Sequence, residues 1–363
     1  MTNLLILLTL PENVRNQYRD RLKARFPELS IDIADHHSKV GPHIGKADAL
    51  LTFAPMLSPK VLQDAPRLKW VQALGTGVDN LIDQEALRKD VIVTNIHGIH
   101  GPPVSEAALG AMLALARDLP RAVRLQDEKK WFRFPAQLLH NKTVGIFGIG
   151  VIAEALAPKC KAFGMRVVGV SSAPRKADGF DAMVARDDML KTVGEFDFFV
   201  LLTPLTEKTR NSINAEVFAA MKPTSFLVNL ARGGVVDEQA LVEALKTKRI
   251  AGAALDVFTQ EPLPPESPLW GLENVIISPH TSALSRLIRM GRSPLRNTPM
   301  DWSARDVSES CASSWNWHHA TGRHCAGCSS HHRAMSPGRG SESNGQLDQG
   351  ALWFSFLRAV NTA

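Results

Sequence analysis

Short apolar runs recur along this chain, each followed by a polar, helix-compatible stretch, and that rhythm restricts the fold more than any other feature. Over the first hundred residues the runs are LLILLTL (4–10), LSIDIA (29–34), ADALLTF (47–53), KWVQAL (69–74) and VIVTNI (91–96), with residues 13–26 as one of the intervening helices. Strand and helix in alternation predict βαβ units, hence a mostly parallel sheet covered on both faces. A second series runs through TVGIFGIG (143–150), MRVVGVSS (165–172), FDFFVLLT (196–203), SFLVNLA (225–231), IAGAALDVF (250–258) and NVIISPH (274–280). Six strands with helices between them predict a doubly wound, nucleotide-binding type of domain. Between the two series, Pro102 and Pro103 open a helix with Glu106 in its first turn, and AALGAMLALARDL extends it as the connection between domains. The predicted domains are 1–99 and 100–284.

After about residue 285 the pattern stops. This segment holds three of the four cysteines, four of the seven tryptophans, nine Arg and no Lys, and shows no sustained period before ALWFSFLRAV. Residues 285–363 are therefore read as an atypical, disordered tail, and a shifted reading frame near 284–290 accounts for the abrupt change in composition. Cys325 and Cys328 form a CxxC among five histidines, but one such pair without a second is not a zinc site, and no metal is expected.

The charge of +6 is also a property of the tail: without it, 33 basic residues face 31 acidic ones. A nearly neutral body argues against nucleic acid as a partner. The apolar start has no basic flank and meets Pro11 at once, so it reads as a buried strand and not as a leader, and no stretch approaches the roughly 18 apolar residues of a membrane helix. With Cys160 the only cysteine before position 311, a cytoplasmic location is expected.

Three groups of residues carry chemistry. Gly148, Gly150 and Ala153 have GxGxxA spacing directly after an apolar strand. There glycine permits a tight turn and lets a pyrophosphate approach a helix N-terminus. Val151 and Ile152, which open that helix, belong to the same cofactor site. After the next strand an acidic residue would hold the ribose diol, but here the chain reads Ser171, Ser172, then Arg175 and Lys176. The basic pair favours NADP over NAD, while a permissive NAD site beside two solvated cations stays open.

The second group lies at strand ends: Arg232, preceded by Ala231, then Asp256, Glu261 and His280. Ligands of open α/β sheets bind outside the carboxyl ends of strands, so these side chains converge on one crevice. Histidine exchanges protons near neutrality, a carboxylate beside it favours its charged form, and an arginine fork suits a substrate carboxylate or carbonyl. The third group is Gly75, Thr76, Gly77 and Val78, whose consecutive amides can form an anion nest, an ordinary glycine turn being the alternative.

With LGTGVDNL, NIHGIHGPPVSEAALGAMLALAR, TVGIFGIGVIAEALA, MKPTSFLVNLARGGVVDEQALVEAL and AGAALDVFTQEPLP followed by ISPH, residues 1–284 closely resemble the D-isomer-specific 2-hydroxyacid dehydrogenases. The resemblance implies a flavodoxin-like substrate domain, a Rossmann domain for NAD(P), and a cleft that closes in turnover. It makes His280 the proton donor, Glu261 its hydrogen-bonded partner and Arg232 the substrate-orienting residue. Gly75 to Val78 hold the substrate carboxylate in that reading, Asp256 faces the nicotinamide carboxamide, and Thr203 and Pro204 lie along the cofactor. Glu261 stands where the formate-oxidising branch has Gln. The implied reaction interconverts small 2-oxo and D-2-hydroxy acids such as glyoxylate and hydroxypyruvate, in a homodimer. Two departures weigh on this: Ser171 at the ribose position, and no recognisable helix returning to the first domain after His280. The alternative is a dinucleotide-binding protein impaired in turnover by its C-terminus.

Overall fold

The computed structural model describes residues 2–284 except 55, 56 and 97. They divide into two compact units, the first ending at His97 and the second beginning at Gly98. The predicted tail and its CxxC lie outside the described residues.

The first unit is built on five parallel strands: β1 Asn3–Leu7, β2 Ser30–Ala34, β3 Ala49–Thr52, β4 Trp70–Ala73 and β5 Ile92–Thr94. Their order in the sheet is β2-β1-β3-β4-β5, the flavodoxin-like doubly wound arrangement. Successive strand residues face opposite sides. Leu5, Leu7, Leu50 and Val71 accordingly enter one core, whereas Leu4, Ile6, Leu51 and Trp70 enter the other. Each of these strands coincides with a run read from the sequence, β1 beginning one residue before its run, at Asn3.

The second unit carries seven parallel strands: β6 Thr143–Phe147, β7 Arg166–Ser171, β8 Ala182–Ala185, β9 Phe198–Leu201, β10 Phe226–Asn229, β11 Gly252–Leu255 and β12 Val275–Ile277. Their order, β12-β11-β10-β9-β6-β7-β8, is the Rossmann arrangement with one further strand at the edge. Phe147, Phe199, Leu201, Leu227 and Leu255 pack on one face, and Ile146, Phe198, Val200, Phe226 and Val228 on the other. Seven strands stand where six were expected. β8 escaped the reading because its four residues are all half-exposed at the sheet edge and two of them are alanine.

The helix after the boundary spans Gly101–Ala116, with Pro102 and Pro103 both inside its first turn. Glu106 therefore sits in the second turn and not the first, because fixed proline φ angles let the helix begin at Gly101. Its buried residues Ala108, Met112 and Leu115 pack against Ala153, Leu156 and Ala157 of the helix Val151–Ala162. No helix among the described residues is long and apolar enough to cross a membrane.

Candidate active site

β6 ends at Phe147, and Gly148 turns the chain with φ +97°, where a Cβ would stand 2.6 Å from the backbone of Thr203. Only glycine fits there, so the turn lies flat against the end of β9. Gly150 then caps the helix Val151–Ala162 in extended conformation, and the position its Cβ would take opens onto empty space. Helix amides beside an open glycine suit a pyrophosphate, and these residues fit the dinucleotide that the spacing implied. Val151 is exposed and Ile152 half-buried. Thr203 is buried, and the Pro204 carbonyl accepts from Thr209 Oγ1 at 2.7 Å.

At the end of β7 the Ser171 hydroxyl is bound up with its own turn, donating to the Ala173 carbonyl at 3.4 Å and accepting from its N–H at 3.3 Å. Ser172 is exposed. Arg175 reaches across to form an ion pair with Glu154 in the helix Val151–Ala162.

Beyond β10 the side chain of Asn229 organises the next residues: Oδ1 accepts from Ala231 N–H and Nδ2 donates to the Arg232 carbonyl, both at 3.1 Å. Arg232 follows in extended conformation, its Nη1 donating to the Ala231 carbonyl at 2.7 Å. At Gly233 a Cβ would overlap the carbonyl of Phe258, so the chain after β10 touches the chain after β11 backbone to backbone.

That contact fixes Glu261. Its Oε1 accepts from Phe258 N–H at 3.0 Å, and its Oε2 lies 2.7 Å from His280 Nδ1. Burial pushes the Glu261 carboxyl up, but the hydrogen bonds from His280 and Phe258 and the charges of His280 and Arg232 outweigh it and hold the group below its ordinary value.

His280 itself has φ +52°, a left-handed conformation that costs a non-glycine residue energy. Asp256, at the end of β11, maintains it. The Asp256 carbonyl accepts from His280 N–H at 2.8 Å. Its carboxylate accepts from Thr281 N–H and Ser282 N–H at 2.9 Å and from the Ser278 hydroxyl at 2.5 Å. The sequence pointed Asp256 at the cofactor, whereas its side chain, buried to 1% exposure, is taken up by the turn that carries His280. Asn229, Gly233 and Ser278 were not singled out from the sequence. An asparagine inside LVNLA, a polar residue in an otherwise apolar run, was the one available signal.

A cavity of about 360 Å³ takes in Asp256, Ser278 and Ser282 together with Pro103 and Glu106, but neither Glu261 nor His280. Gly75 to Val78 form the turn after β4 in the first unit. Asn95 Nδ2 donates to the Thr76 carbonyl at 2.6 Å, and Ile96 N–H to the Gly75 carbonyl at 3.3 Å. No group of three metal-ligating side chains occurs among the described residues.

A Rossmann sheet with a glycine phosphate turn and a carboxylate–histidine pair at its carboxyl edge defines a dinucleotide-dependent class of α/β protein. The model of the D-isomer specific 2-hydroxyacid dehydrogenase NAD binding domain matches residues 109–282. A glyoxylate reductase of Korarchaeum cryptofilum is 38% identical over 249 residues, 67% of this chain and 75% of its own. A D-3-phosphoglycerate dehydrogenase of Synechocystis is 37% identical over 272 residues, 70% of this chain but 49% of its own, so this chain spans about half the length of that relative. The crystal structure of a D-isomer specific 2-hydroxyacid dehydrogenase from Xanthobacter autotrophicus, in complex with NADPH and MES, superposes with a TM-score of 0.67 at 30% identity, covering 81% of this chain and 91% of that one. The chain belongs to the D-isomer specific 2-hydroxyacid dehydrogenase family.

Proposed function

We propose that the protein is an NAD(P)-dependent oxidoreductase interconverting short 2-oxo acids and D-2-hydroxy acids, with glyoxylate and hydroxypyruvate as its first substrates. The observation that carries this reading is the 2.7 Å contact between Glu261 and His280 at the carboxyl edge of a Rossmann sheet. When bound, the cofactor supplies the hydride that reduces substrate C2. His280 keeps its Nδ1 proton directed at Glu261 and gives the Nε2 proton to the carbonyl oxygen, the Glu261 contact holding the ring for that transfer. Arg232 orients the substrate through its guanidinium fork. Asp256, whose carboxylate is committed to the 278–282 turn, serves by keeping His280 in place.

NADP is favoured by Arg175 and Lys176 after a β7 that ends without an acidic residue, and the NADPH complex of the Xanthobacter relative supports it. A homodimer is favoured by the exposed apolar side chains Leu119, Val123, Trp131, Phe132 and Leu138, which fall within twenty residues of one another in sequence. A set this large on one stretch of chain suits burial against a second copy. The buried, unpaired thiol of Cys160 suits the cytoplasm.

The test is oxidation of NADPH and NADH by the full chain with glyoxylate and with hydroxypyruvate. Turnover that disappears in His280→Ala is expected, and undiminished turnover in that variant overturns the reading. The departure from the family after residue 284 favours a second reading, a dinucleotide-binding protein without turnover. Cofactor binding by a folded sample that reduces neither substrate would select it.

A further inference from the structure

The Arg175–Glu154 ion pair belongs to neither the acid–base pair nor the glycine turn, yet it joins the two segments that flank the adenosine end of a Rossmann site. Arg175 stands in the loop after β7, and Glu154 in the first turn of the helix that the glycine turn opens. Both side chains are exposed, so an arriving anion competes directly for the guanidinium.

The Ser171 hydroxyl is held by Ala173 and offers no carboxylate-like pair of acceptors for a ribose diol. Lys176 is exposed and has no ion-pair partner among the described residues. Arg175 is the cation whose planar fork suits a phosphate bidentately, and Glu154 occupies part of that fork. The Glu154 charge also lies where a 2′-phosphate on Arg175 would sit, and like charges repel.

We propose that Glu154 is a specificity-determining residue for the 2′ position of the dinucleotide: by holding Arg175 it reduces discrimination in favour of a 2′-phosphate and leaves the site open to both NAD and NADP. The proposal rests on the dinucleotide-binding reading above.

Calorimetric titration of the full chain with adenosine 2′,5′-bisphosphate and with 5′-ADP tests it without turnover. Glu154→Gln is expected to tighten adenosine 2′,5′-bisphosphate by roughly two- to five-fold, the scale of one exposed charge interaction, with 5′-ADP unmoved. Arg175→Gln is expected to weaken the bisphosphate by about ten-fold and to remove the effect of Glu154→Gln when the two are combined. In turnover, Glu154→Gln lowers KM for NADPH relative to NADH. An unchanged bisphosphate-to-ADP affinity ratio in Glu154→Gln overturns the proposal alone. Failure of the unaltered protein to bind either nucleotide overturns the dinucleotide reading and the proposal with it.

Discussion

Glu261 Oε2 lies 2.7 Å from His280 Nδ1, although the two residues follow different strands and stand 19 positions apart. The contact commits one imidazole nitrogen to a carboxylate, and in the proposed reaction Nε2 is the nitrogen that exchanges a proton. Removing the ring in His280→Ala is expected to lower kcat by about 10²- to 10⁴-fold, the range of general acid–base catalysis, while nucleotide affinity stays near that of the unaltered protein. Steady-state kinetics with a parallel nucleotide titration check both halves.

The depressed pKa of Glu261 has a signature in stability. Its carboxyl holds a proton less tightly in the folded chain than at its ordinary value of 4.5. The unfolded chain therefore takes up that proton first as the medium is acidified. The stabilisation is complete above about pH 4.5 and is lost as pH falls through the folded-state value. Relative to Glu261→Gln, the urea midpoint of the unaltered protein is expected to carry a constant advantage near neutrality, shrinking below pH 4.5. An advantage that grows on acidification would contradict the assignment.

Asp256 is expected to matter through the turn that it holds. Asp256→Ala leaves two backbone N–H groups and the Ser278 hydroxyl without their acceptor in a half-buried turn, a loss of about 1–3 kcal/mol. The milder Asp256→Asn retains one acceptor oxygen and loses the charge. It is expected to fold and to lower kcat by about ten-fold or more, because a His280 turn at φ +52° relaxes when its restraint weakens. Denaturant unfolding and kcat measured on the same preparations separate the two effects.

What the sequence disclosed follows from where the information resides. β1 to β5 were readable because their apolar runs are bounded by polar stretches, whereas β8, half-exposed and alanine-rich, lacks the hydrophobic signal. Glu261 and His280 were placed at strand ends by pattern and resemblance, but their contact depends on how two loops fold back. Asp256 shows the limit most clearly. A carboxylate after a buried strand reads as a ligand group, and whether it meets a ligand or its own chain depends on the amides of Thr281 and Ser282. Nothing in the composition of either segment specifies that encounter. Gly233 was passed over for a similar reason, since close approach of two backbones leaves no period in a sequence.

Gly233 and Gly234 give a paired test of that close approach. A Cβ at Gly233 would overlap the carbonyl of Phe258, and backbone cannot rotate out of the way, so the segment carrying Arg232 must move from the segment carrying Glu261. At Gly234 a Cβ would meet Leu205 Cδ2 at 3.1 Å, a side-chain end that shifts easily. Gly233→Ala is expected to cost about 1–3 kcal/mol, as overpacking does, and to lower kcat/KM more than that instability explains, because the charge of Arg232 is drawn away from Glu261. Gly234→Ala is expected to stay within about 0.5 kcal/mol and to keep its activity. Unfolding curves and kcat/KM for the two variants decide it: equal behaviour would mean that the contact between the β10 and β11 loops does not position Arg232 against Glu261.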